Sequence, residues 1–187
     1  MPDPRCRAVF LDRDGVLIED TDYVRSVRQL KVLPGVGKAV ARLNRAGLKV
    51  IVVSNQSGVG RGYFSLRTLQ RINAELRRRL KEDGAKLDAL YYCPHLPPGR
   101  GVRPCGCRKP EIGLVEKARA RFDLDLSASF FIGDSTTDVQ TAKNAGCVPV
   151  LVRTGKGGRD ARFRARPEKA CPDLAAAVDW ILGRLSR

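Results

Sequence analysis

Two carboxylates one residue apart, Asp12 and Asp14, follow an apolar run of strand-forming residues and precede Gly15. Alternation along an extended chain turns both acids to the same side. Acids just beyond a buried strand are unfavourable unless a cation or a substrate holds them there. The pair is therefore either a paired-acid site at the carboxyl edge of a parallel sheet or an Asp-Gly turn that closes the strand. Three other groups bear on the choice. Ser54-Asn55-Gln56-Ser57-Gly58 follows an unbroken apolar run. It offers a hydroxyl and amide N–H groups to a phosphate oxygen, because glycine lets the backbone approach closely; the alternative is a strand end closed by an Asx-type turn. Arg108-Lys109-Pro110 puts two cations at the entrance of a helix. Asp134 and Asp138 stand four residues apart where another helix begins. Acids there complement the helix dipole, or they hold a divalent cation; Mg²⁺ commonly takes only one or two carboxylates together with phosphate and water.

The cysteines add a second constellation. Cys93-Pro94-His95 and Cys105-Gly106-Cys107 lie in one segment rich in Pro and Gly, and His95 is the single histidine of the chain. Three thiolates and an imidazole form a closed tetrahedral set of the kind that binds structural Zn²⁺. Free thiols and a disulfide are the alternatives. Zinc is favoured, because a loop over residues 93–107 with no other support needs a staple. In that reading the metal holds the loop that carries Arg108 and Lys109. The remaining three, Cys6, Cys147 and Cys171, are scattered and read as ordinary thiols.

The elements that must position these groups alternate along the chain. Strands are expected at residues 8–11, 48–53, 87–92, 129–132 and 148–152. Helices are expected at 36–46, 66–82, 112–121 and 137–145, with a terminal helix at 172–185. Residues 55–62 read as loop, and the arginine- and proline-containing stretch after Gly158 reads as coil. Strand-helix-strand order implies right-handed crossovers and an α/β fold, a doubly wound parallel sheet with helices on both faces. Ligands bind such sheets beyond the carboxyl ends of the strands. Asp12 and Asp14, Ser54, Arg108 and Lys109, and Asp134 and Asp138 all fall at that edge.

These four segments, in this order, resemble the haloacid-dehalogenase-like (HAD) phosphatases, whose Rossmann-like fold the strand order would match. The matching residues are Asp12-Arg13-Asp14-Gly15, Ser54, Lys109 and the pair Asp134 and Asp138. The resemblance implies that Asp12 is the nucleophile and forms an aspartyl-phosphate, and that Asp14 is the acid and base. It implies that Asp12, the Asp14 carbonyl and Asp134 bind Mg²⁺, that Ser54 and Lys109 steady the phosphoryl oxygens, and that Asp138 supports the metal or orients Lys109. With the Cys/His loop the chain is similar to the heptose-1,7-bisphosphate 7-phosphatase group, which is itself similar to the histidinol-phosphate phosphatases. Asp20-Thr21-Asp22-Tyr23-Val24, Tyr92-Cys93-Pro94-His95 and Val152-Arg153-Thr154-Gly155-Lys156-Gly157 carry this closer likeness. It implies that Asp20, Thr21, Asp22, Tyr23, Ser54, Asn55, Gln56, Ser57, Arg108 and Lys109 line the substrate site, with Arg108 facing a second phosphate or sugar hydroxyls. Ser54 stands where many members have Thr, and Ser135 where some heptose enzymes have Lys.

Size and composition set the frame. The 187 residues are read as one domain, with no insertion long enough for a large cap. The formal charge of +15 suggests an anionic partner, a phosphorylated small molecule or nucleic acid. Aromatic content of 6% without an interleaved pattern argues against a stacking platform for single strands. A basic nucleic-acid-binding protein nevertheless stands as the reading of a different class. No apolar run could span a membrane, and Pro2, Asp3, Pro4, Arg5 and Arg7 interrupt any signal-peptide core, so a cytoplasmic location is expected; the resemblance implies a small-molecule sugar bisphosphate as substrate, and a monomer is expected.

Overall fold

The computed structural model describes residues 6–99 and 101–186. The residues 1–5 used to argue against a signal peptide, Arg100 within the 93–107 loop, and Arg187 lie outside the described residues.

Six parallel strands form one sheet: β1 (Ala8–Leu11), β2 (Lys49–Asn55), β3 (Ala89–Cys93), β4 (Phe130–Gly133), β5 (Val148–Val152) and β6 (Lys169–Cys171), in the spatial order β3-β2-β1-β4-β5-β6. The order reverses between β1 and β4, which creates the crevice where ligands enter doubly wound sheets. Asp12 leaves one side of that crevice and Asp134 the other.

The alternation of a strand's side chains assigns the two cores. Val9, Leu11, Val50, Val52, Phe130, Ile132, Val150 and Val152 face one way. They are covered by α1 (Val36–Arg45), α3 (Leu66–Glu82) and α6 (Leu174–Leu185), which contribute Val40, Leu43, Ile72, Leu76, Val178 and Ile181. Ala8, Phe10, Ile51, Val53 and Phe131 face the other way, under α4 (Gly113–Phe122) and α5 (Thr136–Asn144). Both faces of the central strands are therefore apolar, as the unbroken run from Val50 to Val53 requires.

The architecture is the expected α/β one, and no separate cap domain is inserted among the described residues. Two local readings need correction. Residues 57–60, read as loop, form the short helix α2 (Ser57–Gly60). The stretch after Gly158, read as coil, contains β6, whose Val150, Leu151 and Val152 partners on β5 extend the sheet by one edge strand. Two of the three β6 residues are exposed, so no alternation of burial marks it in the sequence.

Candidate active site

The site is built where β1 and β4 end. The Asp12 amide donates to the Ile132 carbonyl at 3.0 Å, continuing the ladder one residue beyond the strand. Asp12 Oδ1 accepts from the Arg13 N–H at 2.7 Å and from Lys109 Nζ at 3.0 Å. Its Oδ2 takes no hydrogen bond among the described residues. Lys109 is buried and bridges two acids, since its Nζ also donates to Asp138 Oδ1 at 2.6 Å. The other Asp138 oxygen accepts from the Ser135 N–H and hydroxyl, and the Ser135 hydroxyl oxygen accepts the Asp138 N–H, so the two residues form a capping box at the start of α5. Asn55 fixes the Lys109 backbone from the opposite side: its Nδ2 donates to the Lys109 carbonyl at 3.1 Å and its Oδ1 accepts the Lys109 N–H at 3.0 Å. The lysine is thus held at both ends, its backbone by β2 and its ammonium by α5 and β1.

Asp134 is buried against two glycines, Gly15 and Gly155, both at positive φ. A Cβ at either would collide with the Asp134 carboxylate, so only glycine allows this approach. Asp134 Oδ2 accepts the Lys156 N–H at 2.6 Å, its carbonyl accepts the Gly158 N–H at 2.7 Å, and the Thr154 hydroxyl donates to the Gly15 carbonyl at 2.6 Å. The segment after β5 is bound in this way to both acid-bearing turns.

The electrostatics follow from this crowding. Burial, with Asp138 and Asp14 nearby, raises Asp12 to about 6 although Lys109 pulls the other way. Burial and the Asp12 charge raise Asp134 to about 7 against the Lys156 N–H. Burial works against the charge of Lys109, but Asp12 and Asp138 outweigh it and push its pKa up. Oxygens of Asp12, Asp134 and Asp138 lie within 4.8 Å of one another. Because Lys109 and Ser135 engage both oxygens of Asp138, Asp12 and Asp134 are the two under-compensated carboxylates. Hard oxygen donors crowded in this way, with the Asp12 charge raising Asp134, fit a divalent cation.

Asp14 belongs to a different network. Arg13 Nη2 donates to Asp14 Oδ1 at 2.9 Å and Arg13 Nε to Oδ2 at 3.2 Å. Gln56 Nε2 donates to Asp14 Oδ2 at 2.7 Å and to Ser54 Oγ at 2.9 Å. The Ser54 hydroxyl lies 3.5 Å from Asp14 Oδ2.

A cleft of about 610 Å³ opens over these groups. Asp12, Asp14, Asp20, Asp22, Tyr23, Asn55, Gln56, Ser57, Arg108, Lys109 and Asp138 all line it. Thr21 instead lines an adjoining groove with Gly155 and Lys156. Ser54 and Asp134 lie buried beneath the cleft. Asn73 and Asp160 were not singled out from the sequence, and Arg13, Ser135 and Lys156 were noted there only within or beside matching strings, without a role. The Ser135-x-x-Asp138 spacing of a capping box was a usable signal. Asp160 accepts from the Thr136 N–H and hydroxyl at 2.7 and 2.8 Å, a long-range contact that carries no sequence pattern.

Beside the cleft the loop 93–107 brings Cys93, His95, Cys105 and Cys107 together, with their ligand atoms within 4.8 Å of one another. Cys93 and Cys107 each lie 3.6 Å from the Cys105 sulfur, and His95 Nδ1 is 3.5 Å from Cys93 and 3.2 Å from Cys107. The three sulfurs are unbonded to one another, at spacings beyond a disulfide bond. A tetrahedron with metal–sulfur bonds of about 2.3 Å has edges of roughly 3.8 Å, so the four donors fit one metal ion. Arg108 Nη1 donates to the His95 carbonyl at 3.2 Å and Gly113 N–H to the Gly106 carbonyl at 2.9 Å, which joins this cluster to the cleft wall and to α4.

A model of the HAD-hydrolase-like family matches residues 106–177. The whole chain is 42% identical to the D-glycero-D-manno-heptose-1,7-bisphosphate 7-phosphatase of Thermosynechococcus vestitus, of which it covers 99%. It is 40% identical to the D-glycero-beta-D-manno-heptose-1,7-bisphosphate 7-phosphatase of Bordetella bronchiseptica, over 94% of this chain and 98% of that one. The crystal structure of the B. bronchiseptica phosphatase complexed with magnesium and phosphate superposes with a TM-score of 0.85 over 95% of this chain and 99% of that one, at 40% identity. The corresponding phosphatase from Burkholderia thailandensis gives 0.70 at 32% identity, over 97% of this chain and 99% of that one. The sheet order and the acid-lysine set are those of a HAD-like hydrolase. Within that class, the chain belongs to the D-glycero-D-manno-heptose-1,7-bisphosphate 7-phosphatase family.

Proposed function

We propose that this chain removes the C7 phosphate of D-glycero-D-manno-heptose 1,7-bisphosphate in a Mg²⁺-dependent reaction that passes through an aspartyl-phosphate on Asp12. The observation that carries the reading is the convergence of Asp12, Lys109 and Asp134 at the β1/β4 crevice, in a chain related over its full length to phosphatases of that name.

Asp12 Oδ2, free of hydrogen bonds among the described residues, attacks phosphorus in line with the departing sugar oxygen. Lys109 and the N–H of Arg13 hold Oδ1, which fixes the carboxylate plane at the wall of the cleft. Asp12, the Asp14 carbonyl and Asp134 are the residues that would hold Mg²⁺. When bound, that ion offsets charge on the phosphoryl oxygens. Lys109 adds a fixed positive charge at the same place, and Asp138 keeps its ammonium there. Ser54 of β2 and Gln56, just beyond it, reach Asp14, and Asp14 gives a proton to the sugar oxygen and later takes one from water. Arg108, Asp20, Asp22, Tyr23, Asn55 and Ser57, with Thr21 in the side groove, surround the sugar and its second phosphate. Much of this polar lining comes from loops, which suits a small hydrophilic substrate in an open cleft.

The same proposal includes structural Zn²⁺ at Cys93, His95, Cys105 and Cys107, supported by donor spacings that match one tetrahedral ion. It takes residues 1–187 as one catalytic domain acting as a cytoplasmic monomer that supplies heptose for lipopolysaccharide or surface glycans. No helix among the described residues is long and apolar enough to cross a membrane.

The test compares turnover of both anomers of the heptose bisphosphate with turnover of histidinol phosphate, each with and without Mg²⁺. Higher kcat/KM on a heptose anomer and dependence on Mg²⁺ are expected. Higher efficiency on histidinol phosphate would overturn the substrate.

A further inference from the structure

Arg13 lies between the two acids of the site, yet it is 1% exposed and forms no part of the cleft surface. Its guanidinium forks onto both oxygens of Asp14. Two further bonds anchor the guanidinium: Nη1 donates to Asn73 Oδ1 of α3, which does not line the cleft, at 3.0 Å, and Nη2 donates to Gln56 Oε1, in the cleft wall, at 2.9 Å. Asn73 is itself buried, on the helix face that otherwise packs Leu69, Ile72 and Leu76 into the core. A buried arginine with a buried amide partner is an expensive way to fill that volume, because apolar side chains of similar size pack there at no desolvation penalty. What the arrangement provides is orientation. A planar fork fixes the carboxylate plane of Asp14, and Asn73 and Gln56 fix the fork.

Both oxygens of Asp14 are held from the protein side. Every partner of the Asp14 side chain is a donor: Arg13 Nε and Nη2, Gln56 Nε2 and the Ser54 hydroxyl. We infer that Arg13, braced by Asn73, is a positioning residue that holds Asp14 to accept a proton from water during breakdown of the aspartyl-phosphate. In that step the water oxygen bonds to phosphorus and a water proton passes to Asp14. The bond from phosphorus to the Asp12 oxygen breaks with its electron pair returning to Asp12, and inorganic phosphate leaves. The inference rests on the proposed aspartyl-phosphate chemistry and assigns its second half to a named support.

The test uses the full-length Mg²⁺-loaded enzyme and p-nitrophenyl phosphate, whose leaving group needs no protonation. Formation of the phosphoenzyme then escapes the clamp and only its breakdown depends on it. Arg13→Lys keeps the charge but loses the fork; Asn73→Leu removes the brace. Both are expected to release about one equivalent of p-nitrophenol per enzyme in a fast burst, followed by steady turnover at least tenfold below wild type, on the scale of a misplaced general base. Asn73→Asp retains an acceptor for Arg13 and should restore turnover close to wild type. Melting curves show which variants fold. If Arg13→Lys does not fold, Asn73→Leu decides alone. Wild-type turnover in a folded variant overturns the inference, and so does equal slowing of the burst and the steady phase, which marks a structural role only. Failure of the underlying reading looks different: wild-type enzyme that forms no covalent phosphoenzyme, or Asp12→Asn that keeps full activity.

Discussion

Lys109 is the residue on which most of the site's charge turns. It is buried between Asp12 and Asp138, so removing its ammonium strands two carboxylates at once. Lys109→Met is expected to lower stability by about 3–5 kcal/mol, the scale for breaking a buried pair, and to abolish measurable turnover; chemical denaturation and a phosphate-release assay check both. Asp12 predicts an opposite pairing of effects. Its carboxylate is held in an unfavourable ionised state, so Asp12→Asn should raise the melting temperature of metal-free protein while lowering turnover by at least about 10³-fold. The same reasoning sets a pH window. Asp12 and Asp134 are raised from 3.8 to about 6 and about 7, so between about pH 4 and pH 7 the folded state binds more protons than the unfolded one. Stability of the metal-free protein must therefore fall as pH rises through that window. Mg²⁺ binding to the ionised pair should recover the loss at pH 7 and above, and melting curves at several pH values with and without Mg²⁺ would reveal it. Most of these residues were legible in the sequence because the acids and the hydroxyl each follow an apolar run and the lysine stands at the entrance of a helix. Arg13 was not. An arginine between two aspartates looks like a solvated spacer, and only the tertiary approach of Asn73 and Gln56 turns it inward.

Among the elements, the loop 93–107 is the one whose conformation depends least on a core. It leads into Arg108 and Lys109 at the cleft; from outside it is held by the Gln56 N–H on the Cys93 carbonyl, the Gly60 N–H on the Pro94 carbonyl and the Gly113 N–H on the Gly106 carbonyl, and from within by the Cys/His cluster. Removing the cluster's metal with a chelator, or replacing Cys105 by Ser, is expected to reduce turnover more steeply than it reduces helix content. The sheet keeps its own cores, whereas Lys109 loses its bearing. Elemental analysis of protein purified under reducing conditions should find about one zinc per chain in the wild type and a sharp drop in the variant; a full-activity, zinc-free enzyme would refute the staple. The strands β1 and β5 and the helix α3 follow from sequence with their ends intact, since each has an apolar pattern bounded by a clear turn or cap, Ser65 for α3. β6 and α2 escaped because they are short and owe their form to neighbours. β6 exists through pairing with β5. α2 follows directly on β2 and is closed by Gly60 N–H on the Pro94 carbonyl.

For the whole molecule, the +15 charge is the feature that a small active site does not explain. Part of the basic surface is locally paired: Arg78 bridges Glu75 and Glu82, and Arg79 also reaches Glu75, along the exposed side of α3. The remaining positive field should draw a doubly phosphorylated sugar toward the cleft, so kcat/KM is expected to fall with rising salt while kcat stays nearly constant. Salt-sensitive DNA binding in a chain without phosphatase activity would instead favour the nucleic-acid reading. The doubly wound order was legible from strand-helix alternation, but the cross-site bond from Thr136 to Asp160 and the packing of Gly15 and Gly155 on Asp134 come from contacts far apart in sequence. The most direct test of the central claim is acid quenching of the Mg²⁺-loaded enzyme during turnover of heptose 1,7-bisphosphate carrying a labelled C7 phosphate, followed by peptide mapping. The label is predicted on the peptide containing Asp12 and absent in Asp12→Asn. Rapid release of labelled phosphate with no label ever found on Asp12 would contradict it.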